Sequence, residues 1–233
     1  MVDLITKPFD PQQFDNDLLD VENSAGFFDP SIKLKSGRDG YYYFDIRNVR
    51  NSREVQHRFA KYIYNFSREK CMEPDVFLGV PEGATPLGIA VTELIDYRDD
   101  TPVPVLRTAP KGHGDPRDVA SVGHLTRGMK VVIVEDVTTT GQSSIKYVLQ
   151  AQNAGVDILG FIAIVNRGER MDGGMYVPEF FDKVLHVPYH SMTDAGRLLP
   201  QMYARLKPPD HVVENSERYF REYCGRELNL RGV

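Results

Sequence analysis

A chain of 233 residues, 41% hydrophobic and 26% charged, is too apolar for extended disorder and long enough to bury a core without disulfide or metal staples. Its 28 Lys and Arg against 33 Asp and Glu leave a formal charge of -5, which gives no support to a general nucleic-acid coat and requires any anion site to be a local basic cluster. Cys71 and Cys224 lack metal-ligand spacing, no apolar run approaches about 18 residues, and the first residues are acidic where a secretion signal is basic, so the expectation is a cytoplasmic chain with reduced thiols, neither secreted nor membrane-spanning.

Phe14, Leu18, Leu19 and Val21 are spaced for a short amphipathic helix between Asp10 and Ser24, ended by Gly26. Strand-like pieces Phe27 to Leu34 and Tyr41 to Ile46 flank the turn-rich Ser36-Gly37-Arg38-Asp39-Gly40 and read as a hairpin. Asn51 and Glu54 have capping-box spacing, and Val55, Phe59, Ile63 and Phe66 form the apolar stripe of a helix from about 52 to 69. Then come a buried-strand run Val76 to Val80, a helix opened by Pro86 and reaching about Tyr97, and strands Val103 to Leu106 and Val131 to Val134. A helix from about Ser143 to Asn153 and a strand Ile158 to Val165 complete the alternation. Strand and helix in this order predict an α/β fold with a central parallel sheet flanked by helices, whose ligands bind beyond the carboxyl ends of the strands. From Lys207-Pro208-Pro209 the chain turns polar, and the apolar spacing of Tyr219, Phe220, Tyr223 and Leu228 predicts an appended helix. The expected division is therefore 1–206 as the main domain, with a hood over about 1–50 and a core from about 51, and 207–233 as a polar tail.

The most informative segment runs Val131-Val132-Ile133-Val134-Glu135-Asp136-Val137-Thr138-Thr139-Thr140-Gly141-Gln142-Ser143-Ser144. An apolar strand ends in two carboxylates, and hydroxyls with a glycine lead into a helix. A helix N-terminus offers unpaired N–H groups and about half a positive charge, so Thr138 to Ser143 would cradle a phosphate. Gly141 permits close approach of backbone to ligand. Glu135 and Asp136 are suited to ribose hydroxyls, directly or through Mg²⁺. A nucleoside-triphosphatase would need an upstream Gly-Lys-Ser/Thr loop, and the sequence has none.

This segment resembles the phosphoribosyl pyrophosphate (PRPP) signature of type I phosphoribosyltransferases, and its wording is closest to the orotate branch. Four more segments match in chain order. Leu34-Lys35-Ser36-Gly37-Arg38 with Tyr41 to Arg47 is similar to the family's N-terminal hairpin, in which the lysine meets PRPP and an aromatic pair, here Tyr43 and Phe44, lies against orotate. Gly79 to Pro86 resembles the pyrophosphate loop, and Arg107, Lys111, His113 and Gly114 keep the spacing of the mobile catalytic loop. Asn166-Arg167-Gly168-Glu169 is similar to the site whose arginine faces the orotate carboxylate. The chain departs from the family at Thr108-Ala109-Pro110, where Lys-Glu usually follows the arginine, at Glu82, where tyrosine is usual, and at Gly83, where lysine or threonine is usual. These changes lower positive charge or packing near the pyrophosphate.

The resemblance implies the type I phosphoribosyltransferase fold with a mobile catalytic loop, a glycosyltransferase reaction of pyrimidine biosynthesis, Mg²⁺ as cofactor, and a homodimer with shared active sites. It assigns Lys111, His113 and Asp136 to catalysis. Lys35, Arg107, Lys111, His113 and Glu135, Asp136, Val137, Thr138, Thr139, Thr140, Gly141, Gln142, Ser143 fall to PRPP, and Tyr43, Phe44, Thr139 and Arg167 to orotate. The glycine- and proline-rich stretch Thr108 to Leu125 would be a lid over the phosphates. Two rivals stay open: a relative acting on a purine, which would have no use for Arg167, and a PRPP-binding regulator without turnover.

Overall fold

The computed structural model describes residues 8–34, 37–95, 102–109 and 121–232; Lys35, Lys111, His113 and most of the expected lid lie outside them. Helix α1 (Pro11–Asp20) starts at Asp10, whose carboxylate accepts from the N–H groups of Gln12 and Gln13. It ends at Val21 and not at Gly26, which belongs to strand β1 (Ala25–Lys33). β1 pairs antiparallel with β2 (Asp39–Phe44), Ala25 opposite Phe44 and Lys33 opposite Asp39, giving the expected hairpin. A 3-10 turn at Ile46–Asn51 leads to α2 (Arg53–Glu69), capped by the Ser52 hydroxyl instead of Asn51.

The core then runs β3 (Val76–Gly79), α3 (Thr85–Thr92), β4 (Val105–Leu106), β5 (Ser121–Val122), β6 (Lys130–Thr138), α4 (Gln142–Asn153) and β7 (Asp157–Asn166). It continues with α5 (Val177–Phe180), which passes into a π-helical turn at Phe181–Leu185, then β8 (Tyr189–Asp194), α6 (Ala195–Leu206) and α7 (Asp210–Cys224). Among the described residues the main sheet has four parallel strands in the order β3-β6-β7-β8.

Side-chain alternation explains why both faces of this sheet are covered. Phe77, Val132, Val134, Ile162 and Ile164 enter one core with α2, α3, α6 and the hood, whereas Val76, Leu78, Val131, Ile133, Phe161 and Ala163 enter a second with α4 and the π-helical turn. The expected sheet strand at Val103 to Leu106 is a correction: only Val105–Leu106 is extended, and it pairs antiparallel with β5 in a separate ribbon. Pro102 and Pro104 remove N–H groups that a central strand must donate.

The tail is not peripheral. Val212, Val213, Tyr219, Phe220 and Cys224 of α7 are buried, and most of them join the core that holds Tyr42 and Phe44 of the hood. Each large side chain so placed contributes about 1.5–3 kcal/mol. Hood, sheet and tail thus share one packed interior on that face. Among the described residues no helix is long and apolar enough to cross a membrane.

Candidate active site

The site is built at the carboxyl end of β6, where strand parity separates its two acids. Successive strand residues point to opposite faces, so Asp136 follows Val132 and Val134 toward the hood while Glu135 follows Val131 and Ile133 toward α4. Glu135 is buried, and its Oε2 accepts from the hydroxyls of Thr138 (2.8 Å) and Ser144. This tie closes the loop on itself, while Glu135 still borders the cleft. Ser144 was not among the residues singled out from sequence, although it stands in the same hydroxyl-rich run.

Asp136 faces the cleft. Its Oδ1 accepts from the Val137 N–H at 2.9 Å, and Gly83 lies directly beneath its carboxylate, so close that a Cβ built there would sit 2.6 Å from Asp136 Cγ. The glycine that departs from the family pattern thereby makes room for the acid. Burial raises the Asp136 pKa, opposed by the Val137 N–H and by the charge of Arg47.

Beyond Asp136 the backbone turns into α4. Gly141 at the cap has φ of 71° and supplies no side-chain cap hydrogen bond, and the first N–H groups of a helix suit an anion. A Cβ at Gly141 would press on Val177, 2.9 Å from its Cγ2. Val137, Thr139, Thr140, Gly141, Gln142 and Ser143 all line a cleft of about 740 Å³, which holds the phosphate cradle, Asp136 and the hood together.

The opposite wall comes from the hood. Tyr43 and Phe44 both reach the cleft lining, but Phe44 is buried in the core while Tyr43 is half-buried. Arg47 and Arg50, from the turn after β2, line the cleft as well. Arg47 is held by Asp45 through Nε (2.6 Å) and Nη2 (3.0 Å). Neither arginine was singled out for ligand binding in the sequence; a basic residue every third position in Arg47-Asn48-Val49-Arg50 was the available signal.

Arg107 does not line this cleft. Its Nε donates to the Ser121 carbonyl at 3.2 Å, turning it toward the β4–β5 ribbon and an adjoining hollow. Near the same point Lys146, exposed on the second turn of α4, reaches into the cleft region and donates from Nζ to the Thr108 carbonyl at 2.6 Å. A cation therefore stands beside the position where the family pattern has its lysine.

Arg167 is enclosed far more than a surface carboxylate reader would be. It is 2% exposed, with Nε 2.6 Å from Glu169 Oε1 and Nη1 donating to the Tyr42 carbonyl at 3.3 Å. Its carbon Cζ lies 4.4 Å from the Tyr42 ring centroid and 5.6 Å from that of Tyr219. Burial opposes the charge, but Tyr42, Glu169 and Tyr219 outweigh it, so the guanidinium stays firmly protonated. Nη2 is buried without a hydrogen-bond partner among the described residues, although Arg167 belongs to the cleft lining.

Mg²⁺ is tested by the donor set. No group of three or more His, Cys, Asp or Glu able to hold a metal occurs among the described residues, and Glu135 is engaged by Thr138 and Ser144. Both acids border the cleft, but Glu135 is tied to two hydroxyls while Asp136 accepts only from the Val137 N–H, which fits Mg²⁺ carried chiefly by substrate oxygens with Asp136 as the nearer protein carboxylate.

A phosphate cradle at the first turn of α4, an acid at the strand end before it and a hood closing the other side define a phosphoribosyltransferase site. Residues 46–176 match the family described as phosphoribosyl transferase domain, and the chain belongs to that family. Relatives within it include orotate phosphoribosyltransferases: the enzyme of that name from Aquifex aeolicus is 34% identical over 143 residues, 60% of this chain and 75% of the relative. Among solved structures, an orotate phosphoribosyltransferase from Francisella tularensis aligns with a TM-score of 0.66 over 91% of this chain and 98% of its own, at 18% identity. A UMP synthase from Leishmania donovani aligns with a TM-score of 0.69 over 91% of this chain and 42% of its own, at 19% identity. These two likenesses establish the fold.

Proposed function

We infer that the protein is an orotate phosphoribosyltransferase, moving phosphoribose from PRPP to orotate to give orotidine 5'-monophosphate and pyrophosphate. The observation that carries this reading is the meeting, in one cleft, of the α4 phosphate cradle, Asp136 and the buried guanidinium of Arg167 with one unpaired donor. A ring nitrogen of orotate bonds to the anomeric carbon, the carbon–oxygen bond to pyrophosphate breaks with its electrons leaving on oxygen, and the nitrogen's proton is lost. Such a reaction asks for positioning and charge stabilisation more than for a protein nucleophile.

The N–H groups from Thr139 to Ser143 hold the 5'-phosphate, and Asp136 accepts from ribose hydroxyls. Asp136 would help hold a Mg²⁺ ion, which when bound would neutralise charge on the pyrophosphate oxygens. Tyr43 bears on the base and Arg167 on its carboxylate. Lys35, Lys111 and His113 are assigned to PRPP and the leaving group by resemblance; Arg107 would have to leave Ser121 to join them. The same resemblance supports a cytoplasmic homodimer with shared sites in pyrimidine biosynthesis, binding neither nucleic acid nor membrane.

A PRPP-binding regulator is the second reading. The exposed carboxylate of Glu82 in the cleft and the diversion of Arg107 favour it, because both weaken the pyrophosphate end. Incubation with PRPP, Mg²⁺ and each of orotate, adenine, guanine and hypoxanthine separates the readings by release of pyrophosphate. Orotate-dependent release is expected; faster turnover of a purine would reassign the base, and release with none of them would leave the regulator.

A further inference from the structure

Helix α7 lies outside the residues that match the family, yet its last turns are fastened to the segment that carries Arg167. Cys224 Sγ approaches the Arg167 carbonyl at 3.3 Å, the Tyr223 carbonyl accepts from the Arg170 N–H at 2.9 Å, and the Cys224 carbonyl accepts from the Tyr176 hydroxyl at 2.8 Å. Burial pushes the Cys224 thiol up to about 12, so it stays protonated and able to donate.

The side chains complete the arrangement. Tyr219 donates its hydroxyl to Glu169 Oε1 at 2.9 Å, the same oxygen that receives Arg167 Nε at 2.6 Å. Arg38 of the hood hairpin donates to the other oxygen, Oε2, at 2.7 Å, and stacks at 4.2 Å on the Tyr223 ring. Burial holds the Tyr219 phenol above its ordinary range, with Arg167 opposing and Glu169 reinforcing this, so it remains a donor. Both Glu169 oxygens are thereby committed, and two guanidinium groups surround one carboxylate. Asp172 lies 4.0 Å from Arg38 Nη2 at the edge of the cluster.

A guanidinium has five N–H donors in a fixed planar fork. Glu169 and the Tyr42 carbonyl take the Nε and Nη1 sides, the tyrosine rings restrict the plane, and Nη2 is left buried and unpaired. An unpaired buried donor is costly unless a ligand supplies the acceptor. Without the Tyr219 hydroxyl, Glu169 would be free to rotate about its bond to Arg38 and draw the guanidinium with it.

We propose that Tyr219 is a positioning residue for the base subsite: by holding Glu169 and stacking on Arg167, it fixes the one guanidinium edge that meets an anionic base. The inference rests on the reading of the protein as an orotate phosphoribosyltransferase. It gives the C-terminal helix a part in choosing the base, and it makes that choice depend on a residue outside the family match.

The test uses the full-length protein and Tyr219→Phe, which keeps the ring and deletes the hydroxyl. Loss of a hydrogen bond to a buried charged group should raise the KM for orotate about tenfold and lower the melting temperature by only a few degrees, with the KM for PRPP unchanged. Uracil, which lacks the carboxylate, should be used no worse by the variant than by the wild type, so the preference for orotate over uracil falls by the same factor. Tyr219→Leu, which also removes the ring, should lose more. The Arg167 Nε–H resonance should exchange slowly in the wild type, where Nε donates to Glu169, and faster in Tyr219→Phe. A loss shared equally by orotate, uracil and PRPP, or unchanged orotate kinetics, would overturn the positioning role. Wild-type protein that consumes no orotate would instead defeat the assignment of function, and the Nε–H exchange would still report whether Tyr219 holds Arg167.

Discussion

Replacing Gly83 by alanine isolates the contribution of the acid above it. The backbone there is not in the left-handed region, so an added methyl group introduces no backbone strain; it introduces a collision, 2.6 Å from Asp136 Cγ. Oδ2 lies closer still, so to regain ordinary contact near 3.5 Å the carboxylate must retreat by more than about 1 Å. Asp136 is a short side chain at the cleft edge and can turn away, so the fold should survive within about 1 kcal/mol, as is usual when no core contact is lost. A displacement of about 1 Å at a ligand-orienting group is worth roughly 10² in rate. Gly83→Ala should therefore lower kcat/KM for PRPP about 100-fold while circular dichroism and melting temperature hold. The decisive measurement is the cycle with Asp136→Asn: if the methyl group acts by displacing Asp136, adding it to the Asn variant should cost far less than adding it to the wild type. Additive losses, or a Gly83→Ala enzyme with wild-type kcat/KM, would refute the argument that this glycine exists to seat the acid.

Asp136→Asn should weaken PRPP binding by about 1.5–3 kcal/mol, yet raise the melting temperature of the ligand-free protein at neutral pH. The Asp136 pKa is raised by burial, so its contribution to stability is complete below the unfolded value near 3.8 and is lost as pH rises through the higher native value. The gain from asparagine should accordingly be greatest above the native pKa and vanish in acid, with about 2 to 4 °C for each kcal/mol; a gain that persists at pH 3 would contradict this. Lys146→Ala should raise the KM for PRPP roughly 3- to 10-fold, an effect weakened by salt because the side chain is exposed, while Lys146→Arg should retain most of the affinity. An unchanged KM at low salt would show that Lys146 only braces the Thr108 carbonyl.

Where apolar periodicity was strong the sequence was easily read. The stripe of Phe59, Ile63 and Phe66 and the runs at 76, 131 and 158 each became the expected element, and the hydroxyl-rich loop after Asp136 leads, as expected, into a helix. The stretch from 167 to 206 was not legible. β8 is an edge strand with one neighbour and mostly partial burial, so Tyr189-His190-Ser191-Met192-Thr193-Asp194 carries no hydrophobic alternation. α6 contains Pro200, a residue that argues against a helix interior when only the sequence is at hand. α7 was visible only through its second half, because its first turns, Asp210 to Glu217, are mostly polar. At the site, adjacency in sequence made Glu135 and Asp136 look alike. The environment of Arg167 was invisible for another reason: it is assembled from residues 38, 42, 169 and 219, which only the tertiary fold brings together.

The contrast between Glu135 and Asp136 has an electrostatic consequence. A doubly charged strand end would repel the phosphates that the helix terminus beyond it attracts, and the protein already carries a formal charge of -5. By turning Glu135 inward onto Thr138 and Ser144, the pleat of β6 commits one of those two carboxylates to the loop's own hydroxyls. That carboxylate becomes the internal anchor that keeps the amide groups of the cradle aimed before any phosphate arrives. The ligand then enters a cavity whose dipoles are already set.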